Sequence, residues 1–120
     1  MWIDEIEDGL PNGFHDAIID SIKVDIKKRI VSVEIEIDIS DSAISDDFTY
    51  RKGLLKIENF GFFNIENPKS TVESNQAVRI TSTGTIVDLL VTDMNSYFFY
   101  VPNWNSFIKF TGRTAEFSWV

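Results

Sequence analysis

Hydrophobic and polar residues alternate strictly along one stretch of the N-terminal half. The odd positions after Arg29 are apolar, namely Val31, Val33, Ile35, Ile37 and Ile39. The even positions between them are polar, namely Ser32, Glu34, Glu36 and Asp38. A period of two predicts a β-strand with one face in a core and the other in water.

Residues 14–26 predict a preceding strand, so that the two strands form one long β-hairpin. Its even positions are mostly apolar: Ile18, Ile22, Val24 and Ile26. Either a turn at Lys27-Lys28 or a four-residue loop at 26–29 closes the hairpin in the same register. Ile22 then lies opposite Val33, and a slip by one residue would set it against a glutamate.

One residue conflicts with this hairpin. The same register places Asp20 on the apolar face opposite Ile35, and it places Ile18 opposite Ile37. A carboxylate buried there needs a partner, which the sequence does not identify.

The polar face of the second strand carries a run of carboxylates, Glu34, Glu36 and Asp38. Like charges on one strand face cost stability, although they also protect an exposed sheet from aggregation. We therefore interpret this acidic ladder either as a solvated surface or as a binding face for a basic protein.

Short strands separated by turn residues follow along the rest of the chain. They are predicted at 53–66, 78–81, 85–92, 97–101, 107–111 and 115–120. The strand at 53–66 has a bulge or bend at Gly61. The next two strands form a hairpin across Ser82-Thr83-Gly84, and polar loops are expected at 40–50 and 67–76.

The N-terminal residues 1–13 predict a short helix or arm laid across the sheet. Their apolar positions have helical spacing, and they are Trp2, Ile3, Ile6 and Leu10. With turn signals about every eight to twelve residues thereafter, the pattern predicts an all-β protein. The expected architecture is an antiparallel β-sandwich or partly open barrel of seven to eight strands, in a single domain spanning 1–120.

The composition fits a folded domain and removes several kinds of chemistry. The 120 residues are 43% hydrophobic and include ten Phe, three Trp and three Tyr, which suffices for one core. The absence of cysteine excludes disulfides, thiolate catalysis and Cys-based metal sites. No cofactor is expected. Neither a signal peptide nor a membrane span is predicted, so we expect a soluble, cytoplasmic protein without a membrane partner.

Charge is distributed unevenly along the chain, whose net charge is −8. Residues 1–50 carry thirteen acidic and four basic side chains, whereas residues 51–120 carry six and seven. An acidic domain repels the phosphate backbone, so nucleic-acid binding is disfavoured. A basic protein is the kind of partner that such a field attracts.

His15 and Asp16 are the residues closest to a catalytic motif. A His-Asp pair can hold a metal ion or act as a general base, and a Ser-His-Asp triad is formally available. One histidine cannot build a multi-histidine metal site, and no Gly-x-Ser-x-Gly elbow selects a serine. The pair is therefore interpreted mainly as fixing the strand entrance through hydrogen bonds to nearby backbone.

Oxygen-bearing side chains in the loop after the second strand resemble scattered calcium ligands. They are Asp38, Ser40, Asp41, Ser42, Asp46 and Asp47. Counted from Asp38, the loop lacks the glycine and glutamate of an EF-hand loop. A solvated acidic loop is the favoured interpretation.

Aromatic residues near the C-terminus suggest a possible saccharide site. Tyr97 and Tyr100 lie on opposite faces of one predicted strand, and Trp104 follows in a Pro-Asn-Trp-Asn turn. An exposed ring there could stack on a sugar, whereas such a tryptophan more often closes the end of a sandwich.

The segment Leu10-Pro11-Asn12-Gly13-Phe14-His15-Asp16-Ala17, followed by the alternating strand, resembles the start of small bacterial all-β proteins of unknown function. Some of those are immunity proteins of polymorphic toxin systems. The resemblance covers about the first third of the chain and rests on the Gly-Phe-His-Asp-Ala motif. It implies a stand-alone, non-enzymatic domain and transfers no functional residue.

These observations favour a non-enzymatic protein-binding module that presents an acidic sheet face to a basic partner, and the resemblance implies that this module is immunity-like. The candidate binding residues are Glu34, Glu36, Asp38, His15, Asp16 and Trp104, with no catalytic residue and no metal ligand expected. A carbohydrate-binding β-sandwich that uses exposed aromatics is the alternative, and a hydrolase built on His15 and Asp16 is the third hypothesis.

Overall fold

The structure, a computed structural model, describes residues 1–41, 43–44, 47–66, 80, 82–91, 96–112 and 114–120. In this described part of the chain, one short α-helix, α1 (Ile3–Asp8), precedes nine strands, and a 3-10 helix (Pro102–Trp104) lies between the seventh and eighth strands. The strands are β1 (Ile18–Asp25), β2 (Ile30–Asp38), β3 (Tyr50–Glu58), β4 (Phe63–Glu66), β5 (Gly84–Thr85), β6 (Leu89–Val91), β7 (Ser96–Val101), β8 (Ser106–Thr111) and β9 (Thr114–Trp119).

The strands form two antiparallel sheets. The five-stranded sheet has the order β5-β1-β2-β3-β9, and the four-stranded sheet has the order β4-β8-β7-β6. Their inner faces bury one common core, as expected for two-faced strands. The prediction of an all-β antiparallel sandwich is confirmed, and the predicted short N-terminal helix is present.

The central hairpin closes with the predicted register near its tip. Ile22 pairs with Val33 and Val24 with Val31. Asp25 pairs with Ile30, so the connection is the four-residue loop 26–29. This loop is basic, because Lys27, Lys28 and Arg29 are all exposed, and Arg29 adopts the left-handed conformation with φ of 56°.

Away from the tip, the predicted register is wrong by one residue, because a β-bulge interrupts β1 between Ile19 and Ser21. Ile19 pairs with Ile35, and Ile18 pairs with Glu36 instead of Ile37. Ile19 is buried whereas Asp20 is exposed. The extra residue of the bulge thus removes the carboxylate from the core and avoids its desolvation.

The predicted strand at 53–66 is two strands in different sheets. β3 belongs to the five-stranded sheet and β4 to the four-stranded sheet. The chain turns between them at Asn59, whose φ is 53°, and Gly61 donates its backbone N–H to the Thr111 carbonyl. The bend that Gly61 suggested is therefore the crossing between the two sheets.

The second predicted hairpin falls only partly on residues that the structure describes. Its later strand, 85–92, is divided into β5, which pairs with β1, and β6, which pairs with β7. Most of its earlier strand, 78–81, and the predicted loop at 67–76 lie outside the described residues.

Aromatic rings from several elements fill the core. Phe14 packs edge-on against Phe99 with ring centroids 5.3 Å apart, and Phe99 lies 5.6 Å from Phe110. Gly53 lies on the core-facing side of β3, and a Cβ there would lie 2.4 Å from the Phe117 ring. A glycine at this position therefore leaves room for that ring to lie across the strand.

Candidate functional site

An acidic surface forms on the outer face of the five-stranded sheet, and it differs from the predicted ladder. Glu34 is exposed and Glu36 is half-buried. The bulge adds Asp20 beside them. Glu36 pairs across the sheet with Lys52, whereas Glu34 pairs with Leu54. We call Asp20, Glu34 and Glu36 the acidic face. Lys52 lies opposite Glu36, and Lys23 and Lys56 lie at positions diagonal to Glu34 on the same side of the sheet.

A shallow depression of about 320 Å³ lies next to the acidic face. Its lining combines charged and apolar groups, namely Asp20, Glu34, Ile35, Lys52, Gly53, Leu54 and Val120. A lining of this kind can receive a side chain that has an aliphatic stem and a charged end, as lysine and arginine have.

Asp20 and Glu36 interact with each other electrostatically. The pKa of Glu36 is raised above its ordinary value, first by partial burial and then by the hydrogen bond and negative charge of Asp20. The Lys52 ammonium acts in the opposite direction. A carboxyl that protonates more readily because of a neighbouring carboxylate is stabilised in its ionised form when a cation approaches.

Asp38 does not belong to this face, which corrects its predicted place in an exposed ladder. Its side chain is 4% exposed, and its Oδ1 accepts hydrogen bonds from the Ser40 N–H at 2.9 Å and the Ser40 Oγ at 2.5 Å. Asn12 donates to the backbone carbonyls of Asp38 and Ser40, both at 2.9 Å. Asp38 therefore stabilises the end of β2, because a buried carboxylate needs such donors.

His15 and Asp16 lie together at the entrance to β1. His15 Nδ1 is 2.6 Å from the Val87 carbonyl oxygen, and its Nε2 is 3.3 Å from an Asp16 carboxylate oxygen. Because a carbonyl only accepts, Nδ1 carries a proton in this contact. Among the described residues no serine hydroxyl contacts the imidazole, so the triad geometry is not formed.

Backbone contacts also fix Asp16. Its N–H donates to the Ile86 carbonyl at 2.9 Å, and its own carbonyl accepts from the Tyr50 hydroxyl at 3.1 Å. The φ of Asp16 is 61°, a conformation that aspartate tolerates better than most residues. These contacts agree with the interpretation that the His-Asp pair fixes the strand entrance.

Trp104 is buried, which agrees with the favoured interpretation that it closes the end of the sandwich and leaves it unable to stack on a sugar. It is 6% exposed, and its indole Nε1 donates to the Ser82 carbonyl at 2.9 Å. A Cβ on Gly84 would lie 2.7 Å from the Trp104 ring, which shows how closely β5 covers it. Tyr97 is also buried, at 3% exposure. Both residues serve the core.

A second surface of interest lies on the outer face of the four-stranded sheet. It includes Tyr100, a candidate from the sequence, whereas its partner Phe107 was missed from sequence. Tyr100 stacks on Phe107 with ring centroids 5.0 Å apart, and Phe98 contacts Phe107 edge-on at 5.5 Å. All three are half-buried. The alternation of β8, in which Phe107 lies between the buried Ser106 and Ile108, is the signal that could have indicated it.

Within the described ranges, no three His, Asp or Glu side chains lie together in a way that could hold a metal ion. Two of the candidate calcium ligands, Ser42 and Asp46, lie outside those ranges. No helix in the described part of the chain is long and apolar enough to cross a membrane.

Comparisons of the chain with models of protein families, with curated proteins and with solved structures give no match. The function is therefore inferred from the geometry of the chain itself.

Proposed function

We propose that this protein is a non-enzymatic protein-binding module whose acidic face recognises a basic surface on its partner. The observation that carries the proposal is the grouping of Asp20, Glu34 and Glu36 beside a depression that suits a long cationic side chain. The resemblance of the Gly-Phe-His-Asp-Ala segment to immunity proteins suggests an inhibitory role toward such a partner.

Electrostatics supports this choice of partner. An arginine or lysine placed between Asp20 and Glu36 relieves their mutual repulsion and forms charge-assisted hydrogen bonds, which are stronger than neutral ones. The acidic N-terminal half adds a long-range field that speeds the approach of a basic protein. Cytoplasmic location is part of the same proposal.

Charge reversal on the acidic face tests the proposal. Immobilised protein captures basic proteins from a lysate of the source cells, and the captured protein is identified by mass spectrometry. The triple variant Asp20→Lys, Glu34→Lys, Glu36→Lys is expected to fold and to lose that protein. Each 1.4 kcal/mol of binding free energy that this variant loses should weaken its affinity for the captured protein about tenfold.

A second triple variant is the matched control. Asp4→Lys, Asp8→Lys and Asp88→Lys make the same change in net charge at exposed positions away from the acidic face. This control is expected to retain capture. Equal capture by the wild type and the acidic-face variant would refute the proposal.

A carbohydrate ligand is the second candidate, and it depends on one observation. The Tyr100–Phe107 stack lies on the outer face of the four-stranded sheet beside Lys109 and Glu66, whose side chains form an ion pair at 2.6 Å. Flat rings beside polar groups are typical of saccharide sites. NMR titration with a glycan panel tests it, and unchanged amide shifts of β7 and β8 would exclude it.

A further inference from the structure

In the described part of the chain, β9 is the last strand of the five-stranded sheet, and its outer edge pairs with no further strand. Val120 donates its N–H inward to the Lys52 carbonyl at 3.1 Å, whereas Ala115 donates outward to the Met1 carbonyl at 2.7 Å. Because hydrogen-bonding directions alternate along a strand, the N–H groups of Phe117 and Trp119 also point outward. Among the described residues, neither has a backbone partner on that side.

A groove runs along this edge between β9 and α1. Its volume is about 530 Å³, and its apolar lining includes Ile6, Leu10, Phe117 and Trp119. The rings of Phe117 and Trp119 pack edge-on with centroids 4.9 Å apart. The segment at Met1 already lies along the beginning of β9, and the chain then turns into α1. No further backbone hydrogen bond from the described residues reaches the rest of this edge.

The two sides of the groove differ in charge. Helix α1 is acidic, whereas β3 contributes Lys56 and also Arg51, whose guanidinium lies 4.5 Å from the centre of the Trp119 ring. Helix α1 contributes the exposed acidic residues Asp4, Glu5 and Asp8 and no basic residue. Glu116 lies on the outer face of β9, where it pairs with Lys56, the basic residue of the lining. An extended segment with basic side chains on one face and apolar ones on the other therefore complements this edge.

We propose that the β9 edge binds an extended, basic segment of a partner protein as an additional antiparallel or parallel strand. The outward N–H and C=O groups of Phe117 and Trp119 supply main-chain hydrogen bonds. Apolar side chains of the segment contact the Phe117 and Trp119 rings, and basic ones face Glu116 and Glu5. This edge adjoins the acidic face, because Leu54 lines both depressions. The two proposals depend on different groups, main-chain groups of β9 in one case and carboxylates in the other, so each can fail without the other.

The probe is a short blocked peptide in which Lys and Val alternate, followed by ¹H–¹⁵N NMR of the full chain. We expect shifts and slower hydrogen exchange at the Phe117 and Trp119 amides. The same peptide with N-methylated backbone amides should bind about tenfold more weakly or worse, because it cannot pair as a strand. A copy with Glu in place of Lys should also lose binding.

Two substitutions at one position separate the backbone from the side chain. Trp119→Pro and Trp119→Val both remove the indole, but only proline removes the outward N–H, a change that edge strands tolerate. Trp119→Pro is expected to bind the peptide about tenfold more weakly than Trp119→Val. Spectra of both variants show whether the sheet is retained.

Three results would overturn the proposal. The first is equal binding of the methylated and unmethylated peptides to the wild-type chain, a comparison that does not depend on any variant folding. The second is peptide-induced shifts confined to surfaces other than β9 and α1. The third is a dimer in sedimentation that the Trp119→Pro variant abolishes, since a second copy would then occupy the edge.

Discussion

Asp38 and Glu34 are both acidic residues at even positions of β2, yet the structure gives them opposite environments. Glu34 is exposed, whereas Asp38 is buried and accepts two hydrogen bonds from Ser40. The alternation of buried and more exposed side chains along β2 ends at Ile37, because Ile37 and the next residue, Asp38, are both buried. Burial at a strand end depends on the loops that cover it, and a strand pattern contains no information about those loops.

Asp38→Ala is expected to lower the free energy of unfolding by about 1–3 kcal/mol, because it leaves the Ser40 donors without their acceptor. Glu34→Ala is the matched control on the exposed face, and its effect should stay within about 0.5 kcal/mol. Urea unfolding monitored by circular dichroism measures both. Similar values for the two variants would show that the Asp38 contacts contribute little.

Glu7 provides a pH-dependent prediction. Burial raises its pKa, the negative charges of Asp88, Asp8 and Asp4 raise it further, and the hydrogen bond from the Phe14 N–H lowers it. A raised pKa in the folded state means that the folded chain binds more protons than the unfolded one. Stability due to Glu7 is therefore present at low pH and is lost as pH rises through the raised pKa.

Glu7→Gln is expected to be more stable than the wild type at neutral pH, since the amide is uncharged and its oxygen still accepts from Phe14. The advantage should shrink or reverse near pH 4, where Glu7 is largely protonated. Urea unfolding at several pH values tests this. A constant difference between the two proteins across the range would contradict the assignment.

At the scale of elements, the bulge in β1 decides which residues reach solvent. Without it, Asp20 would face the core and Ile19 would not. The sequence predicted the correct pairing between the bulge and the tip, because strict alternation in β2 allows one parity there. It could not predict the bulge itself. Its one indication was a carboxylate on an apolar face, which marks a conflict without showing how the chain resolves it.

Deletion of Asp20 is expected to leave the hairpin intact. Ile19 and Ser21, which pair with Ile35 and Glu34, would become consecutive residues of a regular antiparallel ladder. Every other side chain of β1 would stay on its present side of the sheet. The loss of stability should remain under about 1 kcal/mol. Cross-strand nuclear Overhauser effects and urea unfolding measure the outcome.

Deletion of Ser32 is the contrasting control, because it moves Val31 to the outer face and should cost about 3 kcal/mol or more. If both deletions lowered the free energy of unfolding by the same amount, Asp20 would not be a bulge residue that the ladder can lose without a change of register.

At the scale of the whole molecule, the two-layer architecture was predictable because alternation and turn spacing survive along most of the chain. The division of residues 53–66 between two sheets was not predictable from the sequence. Both halves have the pattern of a strand, and the crossing at Asn59 carries only a weak turn signal. The candidate site was predictable in part. Glu34 and Glu36 were identified correctly as outer-face residues. For Trp104 the sequence favoured a structural role but left a sugar-stacking role open, because burial of a turn depends on β5, which is distant in sequence.

Added salt is expected to stabilise the protein. A net charge of −8 causes self-repulsion in the folded state that ions screen, with a Debye length of about 10 Å at 0.1 M. The urea midpoint should therefore rise between low salt and about 0.5 M NaCl. The urea midpoint of the Asp20→Asn, Glu36→Gln variant should rise less with added salt. An equal rise would show that the charge repulsion that salt screens does not involve these two carboxylates.

The basic loop at 26–29 makes the distribution of charge along the hairpin uneven. It lies at one end of the hairpin, whereas Asp16, Glu36 and Asp38 lie toward the other end, and the molecule extends 45 Å along its longest axis. The separation of these charges gives the domain a dipole moment roughly along the hairpin. In the field of a charged partner the molecule should rotate before contact, with its acidic end leading toward positive charge.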